Sequence, residues 1–343
     1  MSKTALVTDS SAYMPPELIR RHGVHVIPLY VHFGGEVFRD GVDVDMATFY
    51  ERLMSAPTFP TTSQPSVRDF LRLYANLSQG ADDIVSIHIS SGISRTVASA
   101  LAARQALSAK MGHPPEIYVI DSRTTACGLA LLVTAVARAI AAGLPADRVA
   151  QEVEVLSRRL STYFVVDVLD YLHETGSIGS MATFVGSVLQ LKPILYLWDG
   201  QIAVRERVRT TRRAKQRLLG VVAERARGRP IHAAIAHAQA AGEAERVRQH
   251  LSDNFDCREL FVVELSPVIA THVGPGTVGV SFYTIEEKVQ HRAIGRSVNG
   301  LARRLRRLSP LGAGNAVQQQ INHRVKQFRE GGGAVARGVH HHL

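Results

Sequence analysis

One stretch in the first half of the chain, residues 84–109, constrains the fold more than any other. Residues 84–89 alternate and are rich in β-branched side chains, which predicts a strand, and residues 98–109 are mostly Ala, Leu, Arg and Gln, which predicts a helix. The turn between them holds four hydroxyl side chains and one glycine: Ser90, Ser91, Gly92, Ser94 and Thr96. Such a turn presents free backbone N–H groups and the positive end of the helix dipole, so it favours an anion; the simpler alternative is that Ser94 only caps the helix. The turn has no P-loop lysine, which disfavours a nucleotide.

The same order of strand, hydroxyl-bearing loop and helix recurs through residues 1–150. Hydroxyl clusters at 8–11 and 122–125 also follow apolar runs that predict strands, and residues 24–33 predict a single further strand. This alternation predicts an α/β domain whose parallel sheet has helices on both faces. Ligands of such sheets bind at the carboxyl ends of the strands, where these clusters lie.

Residues 151–285 follow a different pattern, which predicts a second, mixed α+β domain. Asp199-Gly200 between two apolar-rich runs predicts a β-hairpin. Residues 181–189 form a small-residue apolar run that predicts a helix, and residues 266–276 are expected to form a loop before the last strand.

The net charge of +10 is concentrated in the last part of the chain. Residues 286–343 contain eleven Lys and Arg against three Glu, so the rest of the chain is close to neutral and nucleic acid is not expected as a partner. An apolar stripe over 294–308 predicts a basic amphipathic helix that rests on an anionic membrane or a partner, whereas a partly disordered tail is the alternative. RNA or DNA binding by this tail is a third, less favoured alternative.

Other features exclude several classes of protein. No apolar run approaches the roughly 20 residues of a membrane span, and the N-terminal residues lack a signal-peptide pattern, which favours a cytoplasmic protein, peripheral at the inner membrane if the tail binds there. The two cysteines, Cys127 and Cys257, lie far apart, and no His, Asp or Glu spacing predicts a metal site. We therefore expect neither metal nor cofactor.

Three further stretches are candidates for ligand contact. They are the proline-flanked hydroxyl run at 61–64, His272 before Gly274-Pro275-Gly276, and the apolar run at 184–191. Hydroxyls and an imidazole beside an apolar region suit a carboxylate head with a hydrocarbon tail, because a charged head taken out of water needs several donors. Each stretch also has a structural interpretation as turn, core or hydrogen-bonded histidine.

An enzyme is the competing hypothesis. Gly92-Ile93-Ser94-Arg95-Thr96 is close to the Gly-x-Ser-x-Gly nucleophile elbow, with His272 later in the chain and Asp170 or Asp199 as a third member. The last elbow position is Thr instead of Gly, and no Gly-rich oxyanion segment precedes it. A serine hydrolase using Ser94 and His272 therefore stays as the alternative function.

Six motifs in this order resemble the DegV-like fatty-acid-binding proteins, the carrier subunit of bacterial fatty-acid kinase. The resemblance covers residues 4–284 and lies in Thr8-Asp9-Ser10, Thr62-Ser63-Gln64-Pro65-Ser66, Ser90-Ser91-x-x-Ser94-x-Thr96, Asp121-Ser122, Leu191-Lys192-Pro193-Ile194-Leu195 with Asp199-Gly200-x-Ile202, and His272-x-Gly274-Pro275-Gly276.

The resemblance implies a non-catalytic carrier that holds a long-chain fatty acid and presents its carboxylate to a separate kinase for acyl-phosphate formation. It implies carboxylate contacts from Thr62, Ser63, Ser94 and His272, with Ser91, Thr96 and Gly274 nearby, and an acyl chain in the second domain. It also implies that the basic segment 205–213 faces the kinase, with Arg207 and Arg209 as the chosen contacts.

Two positions depart from the family pattern. The family has Gly-Gly-Arg-Ile where this chain has Thr175-Gly176-Ser177-Ile178, so an arginine is missing, and Arg95 stands where the family has glycine. We expect Arg95 to replace the lost positive charge near the head group; the alternative is that it points to solvent.

Overall fold

The computed structural model describes residues 3–177 and 192–285, which belong to one compact unit. The described strands are β1 Thr4–Asp9, β2 Val24–Ile27, β3 Tyr30–Phe33, β4 Glu36–Arg39, β5 Thr61–Ser63, β6 Asp83–His88, β7 Glu116–Asp121, β8 Ser161–Val165, β9 Lys192–Trp198, β10 Gln201–Val208, β11 Ile231–His237, β12 Cys257–Glu264 and β13 Val278–Thr284. The described α-helices are α1 Pro16–His22, α2 Met46–Ser55, α3 Val67–Leu77, α4 Thr96–Ser108, α5 Ala126–Ala141, α6 Ala146–Arg159, α7 Asp170–Glu174, α8 Thr211–Ala226, α9 Ala241–Asn254 and α10 Pro267–Val273.

The first sheet has the order β2-β1-β6-β7, and every pairing in it is parallel. Side chains of β6 alternate between two cores: Ile84 packs with Phe70 of α3, whereas Val85 packs with Val136 of α5. Both faces are thus covered by helices, which confirms the predicted α/β class.

The second sheet is mixed, with the order β10-β9-β8-β13-β11-β12. Only β11 and β12 are parallel within it, and β9 and β10 form the predicted hairpin, with Asp199 and Gly200 at φ +47° and +80° in its turn. Helix α5 separates the two sheets: Leu129 belongs to the core of the first sheet and Leu131 to a core that includes Ala234 of β11. The domain boundary at residue 150 stays a prediction.

Two sequence interpretations need correction. The single strand expected over 24–33 is two strands, because Pro28 cannot donate to a ladder; β3 turns away to pair with β4 and β5 in a third small sheet. The loop expected over 266–276 is wrong, because α10 occupies most of it. Ser266 caps this helix by accepting a hydrogen bond from the Ile269 N–H, and Pro267 fills its first position.

The predicted apolar helix at 181–189 and the predicted amphipathic tail lie outside the described residues. Within residues 3–177 and 192–285, no helix combines the length and the apolar character needed to cross a bilayer.

Candidate functional site

A cavity of about 530 Å³ opens where the carboxyl ends of β6 and β7 meet the second sheet. Its described polar lining includes Thr62, Ser63, Gln64, Ser94, Ser177 and His272. Its described apolar lining includes Leu29, Ile89, Ile93, Phe164, Leu197 and Ile202. The volume is in the range of small-molecule sites, and the mixed lining suits a ligand with one polar end.

His272 of α10 has a hydroxyl on each ring nitrogen. The Nε2 atom lies 2.8 Å from Thr62 Oγ1, and Nδ1 lies 2.8 Å from Ser177 Oγ. Burial lowers the pKa of His272 to about 4, so the ring is neutral at pH 7. A neutral imidazole has one donor and one acceptor nitrogen, and both are engaged here.

Ser94 lies in the turn before α4, with its hydroxyl directed by Thr96. The Thr96 N–H donates to Ser94 Oγ at 3.2 Å, and the two hydroxyl oxygens are 2.9 Å apart. When Thr96 donates its hydroxyl hydrogen too, Ser94 keeps its own hydrogen for a ligand in the cavity. The N-cap position of α4 is Arg95, one residue after Ser94, and contact of Ser94 with a ligand stays a prediction.

Other predicted residues surround the cavity in different roles. Ser63 Oγ is 2.8 Å from His32 Nε2, at the β3–β5 edge. Arg95 lines the cavity, is exposed, and has no ion pair with a residue in the described parts of the chain. Ser91 also lines the cavity, but its hydroxyl donates to the Asp121 carboxylate, so it has no hydrogen left for a bound anion.

Thr96 and Gly274 do not belong to the described lining. Thr96 is fully buried behind Ser94. Gly274 ends α10 with φ +71°, and a Cβ built there would lie 2.4 Å from Cδ2 of Tyr171, so this glycine permits helix α7 to pack closely.

Arg207 and Arg209 lie on and just after β10, and both are exposed. They do not appear among the described residues of the cavity wall. Their partner-facing role stays a prediction.

The hydrolase geometry is not present among the described contacts. The two ring nitrogens of His272 contact Thr62 and Ser177, not Ser94 or a carboxylate. Asp199 instead forms an ion pair with Arg123.

Comparisons with known proteins identify the family of this chain. A family model described as "Uncharacterised protein, DegV family" matches residues 3–284. The chain belongs to the DegV family. Protein DegV of Bacillus subtilis is 34% identical over 278 residues, covering 80% of this chain and 97% of its own.

Solved DegV-family structures share the fold. A fatty-acid-binding DegV family protein from Thermus thermophilus has a TM-score of 0.77 and 34% identity, over 82% of this chain and 100% of its own. The fatty-acid-binding DegV of Bacillus subtilis has a TM-score of 0.76 and 33% identity, over 83% of this chain and 100% of its own. A stearic-acid-binding protein from Eubacterium ventriosum has a TM-score of 0.73 and 27% identity, over 83% of this chain and 98% of its own.

In this DegV chain, sequence reasoning missed part of the polar lining. Thr175 and Ser177, noticed only as a departure from the family pattern, form a hydroxyl pair beside His272. Thr125 and Thr162 also line the cavity, and Thr125 Oγ1 is buried without a hydrogen-bond partner among the residues that the structure describes. The 122–125 hydroxyl cluster was a signal for Thr125, whereas Thr162 lies on β8, where no pattern distinguishes it.

A second Asp–His–Ser arrangement lies inside the first sheet. His88 Nδ1 is 3.1 Å from Asp9 Oδ2, and its Nε2 is 2.7 Å from Ser86 Oγ, which also accepts from the Tyr74 hydroxyl. Asp9, His88 and Ser86 are all fully buried and none belongs to the described cavity wall. This network satisfies buried polar groups under the sheet edge and is structural.

The hairpin turn docks on the loop that holds Ser94. Ser90 Oγ donates to the Gly200 carbonyl at 2.8 Å, and Arg123 pairs with Asp199. A Cβ built on Gly92 would lie 2.6 Å from the Gly200 carbonyl oxygen. Gly92 therefore permits the second sheet to pack closely against the turn that holds Ser94.

Proposed function

We propose that this DegV-family chain is a fatty-acid carrier, not itself a catalyst, that holds one long-chain fatty acid in the cavity. The carboxylate contacts Ser94, Thr62 and Ser63, His272 acts on it through its hydrogen bond to Thr62, and the acyl chain lies along the apolar wall. The observation that carries the proposal is the convergence of hydroxyls and an imidazole on a cavity whose remaining described wall is mostly apolar.

The energetics favour this ligand class. Each buried methylene contributes roughly 0.8 kcal/mol before entropy losses, so a long acyl chain supplies most of the affinity. A charged carboxylate enters a buried site only with several donors, and Ser94 offers its hydroxyl hydrogen to a ligand when Thr96 is the donor in the contact between their hydroxyls. The fatty-acid binding of the Thermus and Bacillus relatives supports the same class.

Native mass spectrometry of the purified chain tests the carrier. We expect one non-covalent fatty acid for each protein molecule. Thr62→Val should reduce retention strongly because it removes a polar contact of the head group, whereas Thr61→Val, exposed on the same strand, should retain the ligand. A protein without lipid that accepts none when offered would contradict the proposal.

The same sample tests the hydrolase alternative. A fluorophosphonate should leave Ser94 unlabelled, since no described base contacts its hydroxyl. Covalent labelling at Ser94, lost in His272→Ala, would establish the enzyme instead.

Arg95 supplies positive charge at the cavity wall in place of the missing family arginine. Because the side chain is exposed, its ion pair with a carboxylate is worth at most about 1 kcal/mol, which corresponds to a loss of up to about fivefold in affinity for Arg95→Ala. Arg68→Ala, exposed on α3, is the control. Unchanged affinity in Arg95→Ala rejects this role.

The bound carboxylate is presented to a separate kinase, which forms the acyl phosphate. The exposed Arg207 and Arg209 provide a basic surface for that partner. In a reconstituted assay with a kinase subunit from the same source, Arg207→Glu with Arg209→Glu should abolish acyl-phosphate formation while lipid binding persists. Arg225→Glu, exposed on α8, is the control; equal activity of all variants excludes this surface.

The basic tail is proposed to rest on anionic membrane. Full-length protein should sediment with vesicles containing anionic lipid, and a truncation at Glu286 should not. Equal sedimentation of both proteins excludes the membrane role.

A further inference from the structure

Four side chains form a continuous hydrogen-bonded series at the cavity. Thr62 Oγ1 contacts His272 Nε2 at 2.8 Å, His272 Nδ1 contacts Ser177 Oγ at 2.8 Å, and Ser177 Oγ contacts Thr175 Oγ1 at 2.9 Å. Thr175 Oγ1 is also 2.6 Å from the carbonyl oxygen of Tyr171. The last contact fixes the direction of all the others.

A carbonyl oxygen only accepts, so Thr175 donates its single hydroxyl hydrogen to Tyr171. Thr175 therefore accepts from Ser177, and the hydrogen of Ser177 is used there. Ser177 has only lone pairs to offer His272, which means that Nδ1 carries the hydrogen and donates it.

The other ring nitrogen then carries a lone pair. Because burial keeps His272 neutral at pH 7, Nε2 accepts the hydroxyl hydrogen of Thr62. In the ligand-free protein, Thr62 thus has no hydrogen to offer to a carboxylate. A carboxylate that takes this hydrogen leaves Nε2 facing a lone pair of the Thr62 oxygen, which is repulsive.

We infer that the fatty carboxylate binds together with one proton taken from solvent onto Nε2 of His272. This inference rests on the proposed function. In the bound state Thr62 donates to the carboxylate, Nε2–H donates to Thr62, and Nδ1–H still donates to Ser177. The imidazolium charge of +1 balances the carboxylate charge of −1, which offsets the cost of burying either charge alone.

We assign the proton uptake to the His272 ring and not to a neighbouring side chain. The relevant titratable or charged side chains near α10 are Tyr171 of α7, Tyr50 of α2, His32 of β3, Arg95 at the cavity wall and Asp40, whose carboxyl accepts from the Val268 N–H in the first turn of α10. None of them contributes to the lowered pKa of His272, whose single cause is burial. Thr175 and Ser177 act through His272 and are positioning residues.

Calorimetry with delipidated full-length protein and laurate measures the proton directly. Titrations at pH 7 in buffers of different ionisation enthalpy should give an uptake close to one proton for each laurate bound. The laurate affinity should fall by up to about tenfold for each unit by which the pH rises from 6 to 8. Binding with zero uptake and constant affinity overturns the inference alone; no laurate binding at any pH contradicts the proposed function.

A pair of matched variants tests the direction of these hydrogen bonds. In Thr175→Val, Ser177 can donate its hydrogen to Nδ1, so the ring hydrogen moves to Nε2 and Thr62 can donate to the carboxylate without added proton. Proton uptake should therefore fall by at least half while laurate still binds. Thr134→Val removes the same kind of bond, from Thr134 Oγ1 to the Ala130 carbonyl in α5, and should keep full uptake. Full uptake in Thr175→Val overturns the inference.

Nitrogen-15 NMR of the wild-type protein gives an independent readout without any variant that must fold. The ligand-free ring of His272, assigned with His272→Gln, should carry its hydrogen on Nδ1, and both nitrogens should be protonated with laurate bound. A ligand-free ring that carries its hydrogen on Nε2 would refute the proposed directions of the hydrogen bonds.

Discussion

Asp40 offers a quantitative test of how the helix that holds His272 is anchored. Its carboxyl is 1% exposed and accepts from the Ser10 hydroxyl at 2.6 Å and from the Val268 N–H at 3.4 Å, so it joins the β1 loop to the first turn of α10. Burial is the largest effect on this group and raises its pKa from 3.8 to about 7 despite these donors. The proposed perturbation is Asp40→Asn, which keeps the size and removes the charge.

The sign and size of the effect follow from linkage. The folded state holds the proton of Asp40 more tightly than the unfolded state, so its contribution to stability is complete below pH 3.8 and is lost as the pH rises toward 7. At about 1.4 kcal/mol for each pKa unit, the loss between pH 5 and pH 8 is about 3 kcal/mol. The Asn variant cannot ionise and should lack this loss.

Urea unfolding at pH 5, 6, 7 and 8 measures the difference. We expect the free energy of unfolding of Asp40→Asn, relative to wild type, to increase by about 3 kcal/mol across this range. Asp43→Asn is the control, because the Arg39 contact lowers the pKa of Asp43 to about 2 and the group does not titrate in this range. Parallel stability curves for wild type and Asp40→Asn would refute the reasoning.

Two further predictions concern the hairpin contact and the buried thiol. Gly92→Ala should weaken laurate binding several-fold and lower the melting temperature, because its Cβ would lie 2.6 Å from the Gly200 carbonyl oxygen and overpacking costs about 1–3 kcal/mol. Gly112→Ala is the control and should change neither quantity, because no atom lies within 4 Å of a Cβ built there. Wild-type binding and melting temperature in Gly92→Ala would contradict the close approach. Burial raises the pKa of the Cys127 thiol to about 11, so Cys127 should resist iodoacetamide at pH 8 until the protein unfolds. The partly buried Cys257 should react sooner. Equal labelling of both thiols in the folded protein would contradict this prediction.

The strand–turn–helix unit that holds Ser94 was predictable because its signals are local. The strand over 84–89, the hydroxyl-rich turn and the helix that follows are each encoded by neighbouring residues, and the contact between Ser94 and Thr96 spans only two positions. Parallel alternation of such units then placed the turn at the carboxyl edge of the first sheet.

The helix at 267–273 was missed although its signals were also local. Ser266 and Pro267 are a typical helix start, but the Gly-Pro-Gly that follows is typical of a loop. The short length of α10 hides its periodicity, and its stability comes from packing against α7 and the third sheet.

The sequence by itself determined the α/β class, the hairpin at Asp199-Gly200 and the hydroxyl loops, because strand alternation, turn chemistry and helix propensity act over a few residues. Only the tertiary structure decided which atoms meet. Thr62 and His272 are 210 positions apart, and Ser177 and His272 are 95 apart. Their contacts depend on how α10 packs between sheets, and the direction of each hydrogen bond depends on the Tyr171 carbonyl at the far end of the series, which no local pattern specifies.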